Sequence, residues 1–253
     1  MRKFCCGWGI SILIIIFFSP MSAFSMGVEA AVGLWWQDPS GDMGSKGNDL
    51  SVENELKYES ESRVYGRIKV DMPAMIPNIY LMATPVIFEE DGSKNTSFKF
   101  GDKTFAGNES FSSKLRLNHY DVALYYGIPF LKTVTLGTFN MEVGLNGRIL
   151  DIKEEIKQPT AGTEWVSLAV PIPMLYLGAQ LKPMKYLSLE AEARGVSYSS
   201  THNYDLIARL KVQPFGPVFL AGGYRYENVK IDQGDIKINM KIKGPFLELG
   251  FVF

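Results

Sequence analysis

The sequence predicts an all-β fold: a transmembrane, up-and-down antiparallel β-barrel of ten strands. Three observations carry this. Apolar residues recur at every second position from residue 27 to 253, the period of a strand whose successive side chains face opposite sides. Long or polar connections alternate with short ones rich in Pro or Gly, as in a barrel with one decorated rim. The polar parity of the strands also collects six of the seven arginines that follow residue 25, while most lysines fall in loops and turns.

The chain has 253 residues, and the first 25 read as a removable secretory leader. Arg2 and Lys3 form a basic start, Ile10 to Phe18 is apolar apart from Ser11, Pro20 breaks the run, and Ala23-Phe24-Ser25 supplies a cleavage site before Met26. A membrane anchor needs about 20 apolar residues, more than this run offers. A lipid-modified cysteine would follow the apolar run, whereas Cys5 and Cys6 precede it. Residues 26–253 are expected to form one exported barrel domain. They hold no cysteine, which excludes thiol nucleophiles, thiolate metal sites and disulfide scaffolds. Of the 26 basic residues two lie in the leader, and the 24 that remain face 27 acidic ones. That balance speaks against nucleic acid as a partner. No cofactor and no metal are expected either; Asp38, Asp42 and Asp49 lack the spacing of a calcium loop.

Taken in order, the first strand is read at 27–37. The second sets Val64, Gly66, Ile68 and Val70 against Arg63, Tyr65, Arg67 and Lys69. Less regular runs follow at 78–90 and 113–127. Phe139, Met141, Val143, Leu145 and Ile149 then alternate with Asn140, Glu142, Asn146 and Arg148. After a run at 165–181, Leu187, Leu189, Ala191 and Ala193 alternate with Ser188, Glu190, Glu192 and Arg194. Leu206, Ala208, Leu210 and Val212 alternate with Asp205, Arg209 and Lys211, and runs at 217–229 and 236–253 complete the set. Each is read as long enough to cover the roughly 9–11 residues that a tilted membrane strand needs. The long connections are 38–60, 90–112, 152–164, 199–202 and 230–235; the short ones are 73–77, 128–137, 182–184 and 214–216. Pro85, Pro171 and Pro173 fall inside strands and mark bulges or strand ends.

Alternation does not say which face is inside, and a soluble barrel or sandwich would put the apolar face inward. Two features favour the inverse. Aromatic residues near strand ends (Trp35, Trp36, Phe88, Tyr125, Tyr126, Tyr198, Tyr224, Tyr226) suggest interfacial girdles. A solvated face has no reason to sort Arg from Lys, whereas a confined lumen does, because the guanidinium fork pairs bidentately with carboxylates. The expected lumen network comprises Arg63, Arg67, Glu142, Arg148, Glu190, Glu192, Arg194, Arg209, Arg225 and Glu227. With Lys69, Lys211, Glu29, Asp71, Asp121, Asp205 and Glu248, nine acids meet eight bases. A barrel of this size is too narrow for an open aqueous channel of the kind that about 16–18 strands enclose, so a mostly plugged lumen is expected, with a narrow charged pore as the alternative.

The chain alternates to its last residue, with Leu247, Leu249, Phe251 and Phe253 in one parity. This tail resembles the C-terminal signal read by the outer-membrane barrel assembly machinery. The segments Pro173-Met174-Leu175-Tyr176-Leu177-Gly178-Ala179, Ala191-Glu192-Ala193-Arg194-Gly195, Tyr204-Asp205-Leu206, Gly223-Tyr224-Arg225-Tyr226 and Gly244-Pro245-Phe246-Leu247 resemble a family of bacterial outer-membrane β-barrel proteins of about this length, most of them uncharacterised. The resemblance, strongest from about 135 to 253, implies the fold and a location in the outer membrane, with lipid and lipopolysaccharide around a monomeric barrel. It supplies no catalytic residues.

The expected function is non-enzymatic: a structural or surface-interaction role, or a narrow channel for small solutes. The enzymatic alternative is a rim-located hydrolase, protease-like or lipid A deacylase-like. His119 lies two residues before Asp121, on the same strand face, and His202 three before Asp205; an Asp–His pair at the extracellular rim could activate water as a general base. A deacylase of this architecture needs a Ser on the His face, and Tyr204 stands two residues after His202 instead.

Overall fold

The computed structural model describes residues 26–45, 48–73, 75–198, 201–233 and 236–253, so the expected leader lies outside it. The fold is a closed antiparallel barrel of ten staves. These are β1 (Gly27–Ser45), β3 (Glu61–Asp71), β4 (Asn78–Thr84) continued by β5 (Ile87–Lys94), β8 (Glu109–Gly127), β9 (Phe139–Gln158), β10 (Gly162–Met184), β11 (Leu187–Tyr198), β12 (Thr201–Phe215), β13 (Val218–Gln233) and β14 (Ile236–Val252). Each stave pairs with its sequence neighbour, and β14 closes on β1 with Leu34 opposite Leu247. Closure leaves no unpaired sheet edge within the belt, the condition a membrane imposes on strands. β2 (Asn48–Ser51) folds back on β1, while β6 (Phe98–Phe100) and β7 (Lys103–Phe105) form a separate hairpin. Both described termini lie at the end that carries the connections after β3, β8, β10 and β12, hereafter the turn end. The remaining connections form the loop end.

Proline accounts for the one broken stave. Pro85 has no N–H to give the ladder, so β4 and β5 pair with β8 on either side of a bulge. There Val86 N–H donates to Asn118 Oδ1 at 3.0 Å, and Leu117 N–H to the Val86 carbonyl at 2.8 Å. Pro171 and Pro173 sit where β10 pairs with β9 alone, an edge position that tolerates proline.

Near the turn end the barrel is inside out relative to a soluble protein. Val64, Val122, Leu145, Leu177, Leu206 and Leu249 face outward, while Arg67, Asp121, Arg148, Glu192, Asp205 and Glu248 are buried inward. Towards the loop end the same strands reverse. On β9, Val143, Leu145 and Ile149 point out, but Leu150, Ile152 and Ile156 point in. The switch recurs on β8 between Leu117 and Tyr120, on β13 between Tyr226 and Val229, and on β14 between Ile242 and Leu247. Above the switch the strands form an extension with an ordinary apolar core and a polar outer face.

This reversal corrects several expectations. The first strand runs to Ser45 rather than residue 37, the run ending at Ile149 continues to Gln158, and β13 reaches Gln233. The expected loop 152–164 is mostly strand, with Gln158 already opposite Gly162. An apolar set that changes parity in mid-strand mimics the end of a strand. Three of the expected girdle aromatics, Trp35, Phe88 and Tyr125, point inward and are buried; Trp36, Tyr126, Tyr198 and Tyr224 remain on the exposed side.

Candidate functional site: a charged lumen beneath an apolar cap

The strands bring their polar parity together in one continuous network. Nearest the turn end, Arg209 contacts three carboxylates: its Nη2 lies 2.6 Å from Glu29, its Nε 2.6 Å from Glu190 and its Nη1 2.6 Å from Glu248. Lys211 bridges Glu29 and Glu190 at 2.7 Å each. In the middle, Glu192 accepts from Arg67 at 2.6 Å, Tyr80 at 2.9 Å and Arg194 at 3.1 Å. The Arg67 and Arg194 guanidiniums lie 4.8 and 4.7 Å from the Tyr80 ring centroid, close enough for cation–π attraction. Lys69 and the Tyr176 hydroxyl both donate to Glu142. Gly33 and Gly178 make room for these groups. A Cβ on Gly33 would lie 2.5 Å from the Tyr65 ring, whose hydroxyl donates to Glu248; one on Gly178 would lie 2.6 Å from Glu142 Oε2.

The layer below the cap centres on Arg148, which pairs with Asp121 in two bonds of 2.8 and 3.0 Å and with Asp205 and Glu227 at 2.6 Å each. Arg225 makes two bonds to Asp205, donates to Thr84, and reaches His119 Nε2 at 3.0 Å. Bidentate guanidinium geometry of this kind is what lysine cannot reproduce. Of the expected network, nine residues join directly. Arg63 stands apart at the loop-end side, donating to the Ile87 carbonyl with Glu61 3.6 Å away.

His119, Asp121 and Asp205 place potential ligand atoms within 4.8 Å of one another. The guanidiniums of Arg148 and Arg225 already occupy those atoms and supply the compensating charge, which leaves no chemical need for a cation. His119 and Asp121 do share a face, as their spacing implies, but they are buried in the lumen rather than set on the rim. The reason is the extension, which carries β8 well past His119 towards Glu109. His202 and Asp205 have opposite parity: Asp205 is buried inward, and His202 lies beside the outward Tyr204, ring centroids 6.4 Å apart.

The apolar cap was not anticipated. The segment after β2 contributes Val52, Leu56 and Tyr58, the β6–β7 hairpin contributes Phe98, Phe100 and Phe105, and the strands add Phe88, Phe111, Leu115 and Ile152. Tyr58 stacks on Phe88 with centroids 5.7 Å apart, and Lys94 pins the segment through Glu55 at 2.9 Å. The signal was present in the phenylalanines spaced along residues 98–111. Within the cap, Glu154 is buried between Leu115 and Val166 of the flanking strands, and its Oε1 has no hydrogen-bond partner. Burial alone pushes its carboxyl up to about 8. Burial, and then the nearby Glu154, push the Tyr58 hydroxyl well above the usual phenol range; that hydroxyl is 2.5 Å from Ser113 Oγ.

At the turn end the lumen opens into a polar cavity of about 180 Å³, lined by Glu29, Lys69, Lys132, Lys182, Lys185 and Lys211 among others. The network closes it on the inner side.

No protein-family model matches the chain, and no curated protein matches it significantly. Solved structures do. The outer membrane protease OmpT from Escherichia coli superposes with a TM-score of 0.56 at 9% sequence identity, covering 92% of this chain and 99% of that one. Ail, the attachment invasion locus protein of Yersinia pestis, gives 0.39 at 8% identity over 89% and 99% of the two chains. The translocator domain of the autotransporter NalP from Neisseria meningitidis gives 0.41 at 10% identity over 89% and 88%. The likeness to OmpT is one of fold: this chain has the architecture of a bacterial outer-membrane β-barrel protein.

Proposed function

We propose that this is an integral outer-membrane β-barrel protein with no enzymatic role, whose sealed barrel supports a rigid extension that presents a surface for interaction. The observation that carries this reading is the double closure: buried arginine–carboxylate pairs fill the lumen, and a packed apolar cap lies above them. A sealed lumen argues against the narrow channel. Against the hydrolase stand the burial of His119 and Asp121 and the opposite parity of His202 and Asp205. In this reading lipid and lipopolysaccharide surround the outward apolar belt, and the barrel is a monomer. In the same reading the barrel assembly machinery recognises the segment in which Leu247, Leu249, Phe251 and Phe253 are exposed.

Planar-bilayer recording on the refolded protein tests the proposal, with faster gel mobility before boiling than after as the sign of a folded barrel. A silent bilayer with folded protein is expected. Discrete current steps altered by substitution of Arg194 or Glu192 would establish a pore instead.

A further inference from the structure

The loop between β8 and β9 carries exposed apolar side chains on a strained backbone. Phe130, Val134 and Leu136 are 80%, 79% and 93% exposed. Phe130 and Leu136 also hold φ values of 65° and 52°, a left-handed conformation unfavourable for residues with a Cβ. The loop is nonetheless tied down. Its single helical turn, α1 (Leu131–Val134), is entered by a bond from Val134 N–H to the Phe130 carbonyl at 2.9 Å. Lys182 N–H donates to the Thr138 carbonyl at 2.6 Å, and Ile128 N–H continues the ladder to Met141.

The loop carries apolar and cationic side chains together. Phe130 immediately precedes the helical turn and Val134 ends it, while Lys132 within the turn lines the mouth of the turn-end cavity. Lys182 and Lys185 line the same mouth, and Lys182 is near enough to feel the charges of Lys211, Glu190, Lys132 and Glu29. Four carboxylates also line the cavity, Glu29, Asp71, Glu142 and Glu190, against six cations; Glu29 and Glu190 are held by Arg209 and Lys211, and Glu142 by Lys69. The excess of cations lies with Lys132, Lys182 and Lys185 at the mouth, where Glu190 and Glu29 act on Lys182 without forming an ion pair within 4 Å among the described residues. Tyr126 and Ile128, which lead from the end of β8 into the loop, are exposed as well.

We infer that the turn end binds an anionic phospholipid, its phosphate among Lys132, Lys182 and Lys185 and its acyl chains over Phe130, Val134 and Leu136. This rests on the membrane-barrel reading above. An element that carries apolar and cationic side chains together is suited to the boundary between headgroups and acyl chains. The lysines complement the phosphate, and the lipid tails cover apolar surface that the chain leaves bare.

The test is native mass spectrometry of the refolded full-length barrel released from micelles that contain equal amounts of a phosphatidylglycerol and a phosphatidylcholine of the same chain length. The expected result is preferential retention of phosphatidylglycerol. The triple variant Lys132→Gln, Lys182→Gln, Lys185→Gln should reduce that preference about tenfold or more, as expected for removing several juxtamembrane charges. A Phe130→Ser, Leu136→Ser variant should retain less phosphatidylglycerol than the wild type. Equal retention of the two lipids by the wild type, or an undiminished preference in the triple variant, would overturn the site. Tight binding of inorganic phosphate without lipid preference would also overturn it, marking a pocket for free anions. Heat-modifiable gel mobility, recorded for every variant, separates failure of the lipid site from failure of the barrel itself.

Discussion

Arg148 holds together the layer beneath the cap, because one guanidinium serves Asp121, Asp205 and Glu227 at once. Replacing it with methionine would leave three buried carboxylates without their common cation, at a cost of about 3–5 kcal/mol. The urea midpoint of the refolded barrel should fall accordingly, and Arg148→Lys should recover part of the loss, since a point charge cannot reproduce the fork. An unchanged midpoint would mean that the network is not structural. Glu154 gives a second prediction. Its carboxyl is raised by burial from an ordinary 4.5 to about 8, so the folded protein holds a proton there that the unfolded chain releases. Stability from this group is therefore complete below about pH 4.5, declines as pH rises through the window, and levels off above about 8. Glu154→Gln, neutral throughout, should flatten that decline in unfolding titrations; an identical slope would place the pH dependence elsewhere.

Among the elements, the β6–β7 hairpin is separable from the barrel it covers. Lys94 is opposite Glu109, and Asn108 N–H already donates to the Lys94 carbonyl at 2.8 Å, so the chain could turn there without the intervening residues. Replacing residues 96–107 with a tight turn should preserve heat-modifiable mobility. It should also remove Phe98, Phe100 and Phe105 from the cap, each worth about 1.5–3 kcal/mol of burial. Increased binding of an apolar dye at the loop end is the expected readout; unchanged dye binding and midpoint would show that the hairpin does not seal the cap. The strands within the belt were legible because their hydrophobic parity is constant. At Ile149 and Leu150 that parity changes while the strand continues, and a reader of alternation alone takes the change for a loop. The lumen arginines were legible for the complementary reason: Arg67, Arg148, Arg194, Arg209 and Arg225 keep the polar parity wherever the outward face is apolar. Contacts such as Arg225 with His119, or Tyr80 with Glu192, depend on closure across the barrel, which no local pattern records.

For the whole molecule, the parity reversal defines a boundary that can be measured. If the outward apolar belt faces lipid and the extension faces water, one strand samples both media with the same inward–outward geometry. On β9 the outward series runs Val143, Leu145, Ile149, Asp151, Lys153. Arginine placed at Leu145 would sit in the belt, where the cost is about 2–4 kcal/mol at the bilayer midplane and falls towards zero at the interface. At Asp151 it would meet water, and at Lys153 it would replace a residue that is already cationic. Equilibrium unfolding of the barrel in lipid vesicles should thus give a penalty that is large at 145, smaller at 149 and negligible at 153. The same decline should appear on β13, with arginine at Leu220 costly and at Lys230 neutral, since its outward face changes from Leu220 and Tyr224 to Lys230 and Asp232. Agreement between two strands well separated around the wall would trace a single plane, which a bilayer imposes and local packing does not. A penalty that is uniformly small along both strands would mean that the outward belt is not in lipid, and the membrane reading would fall with it.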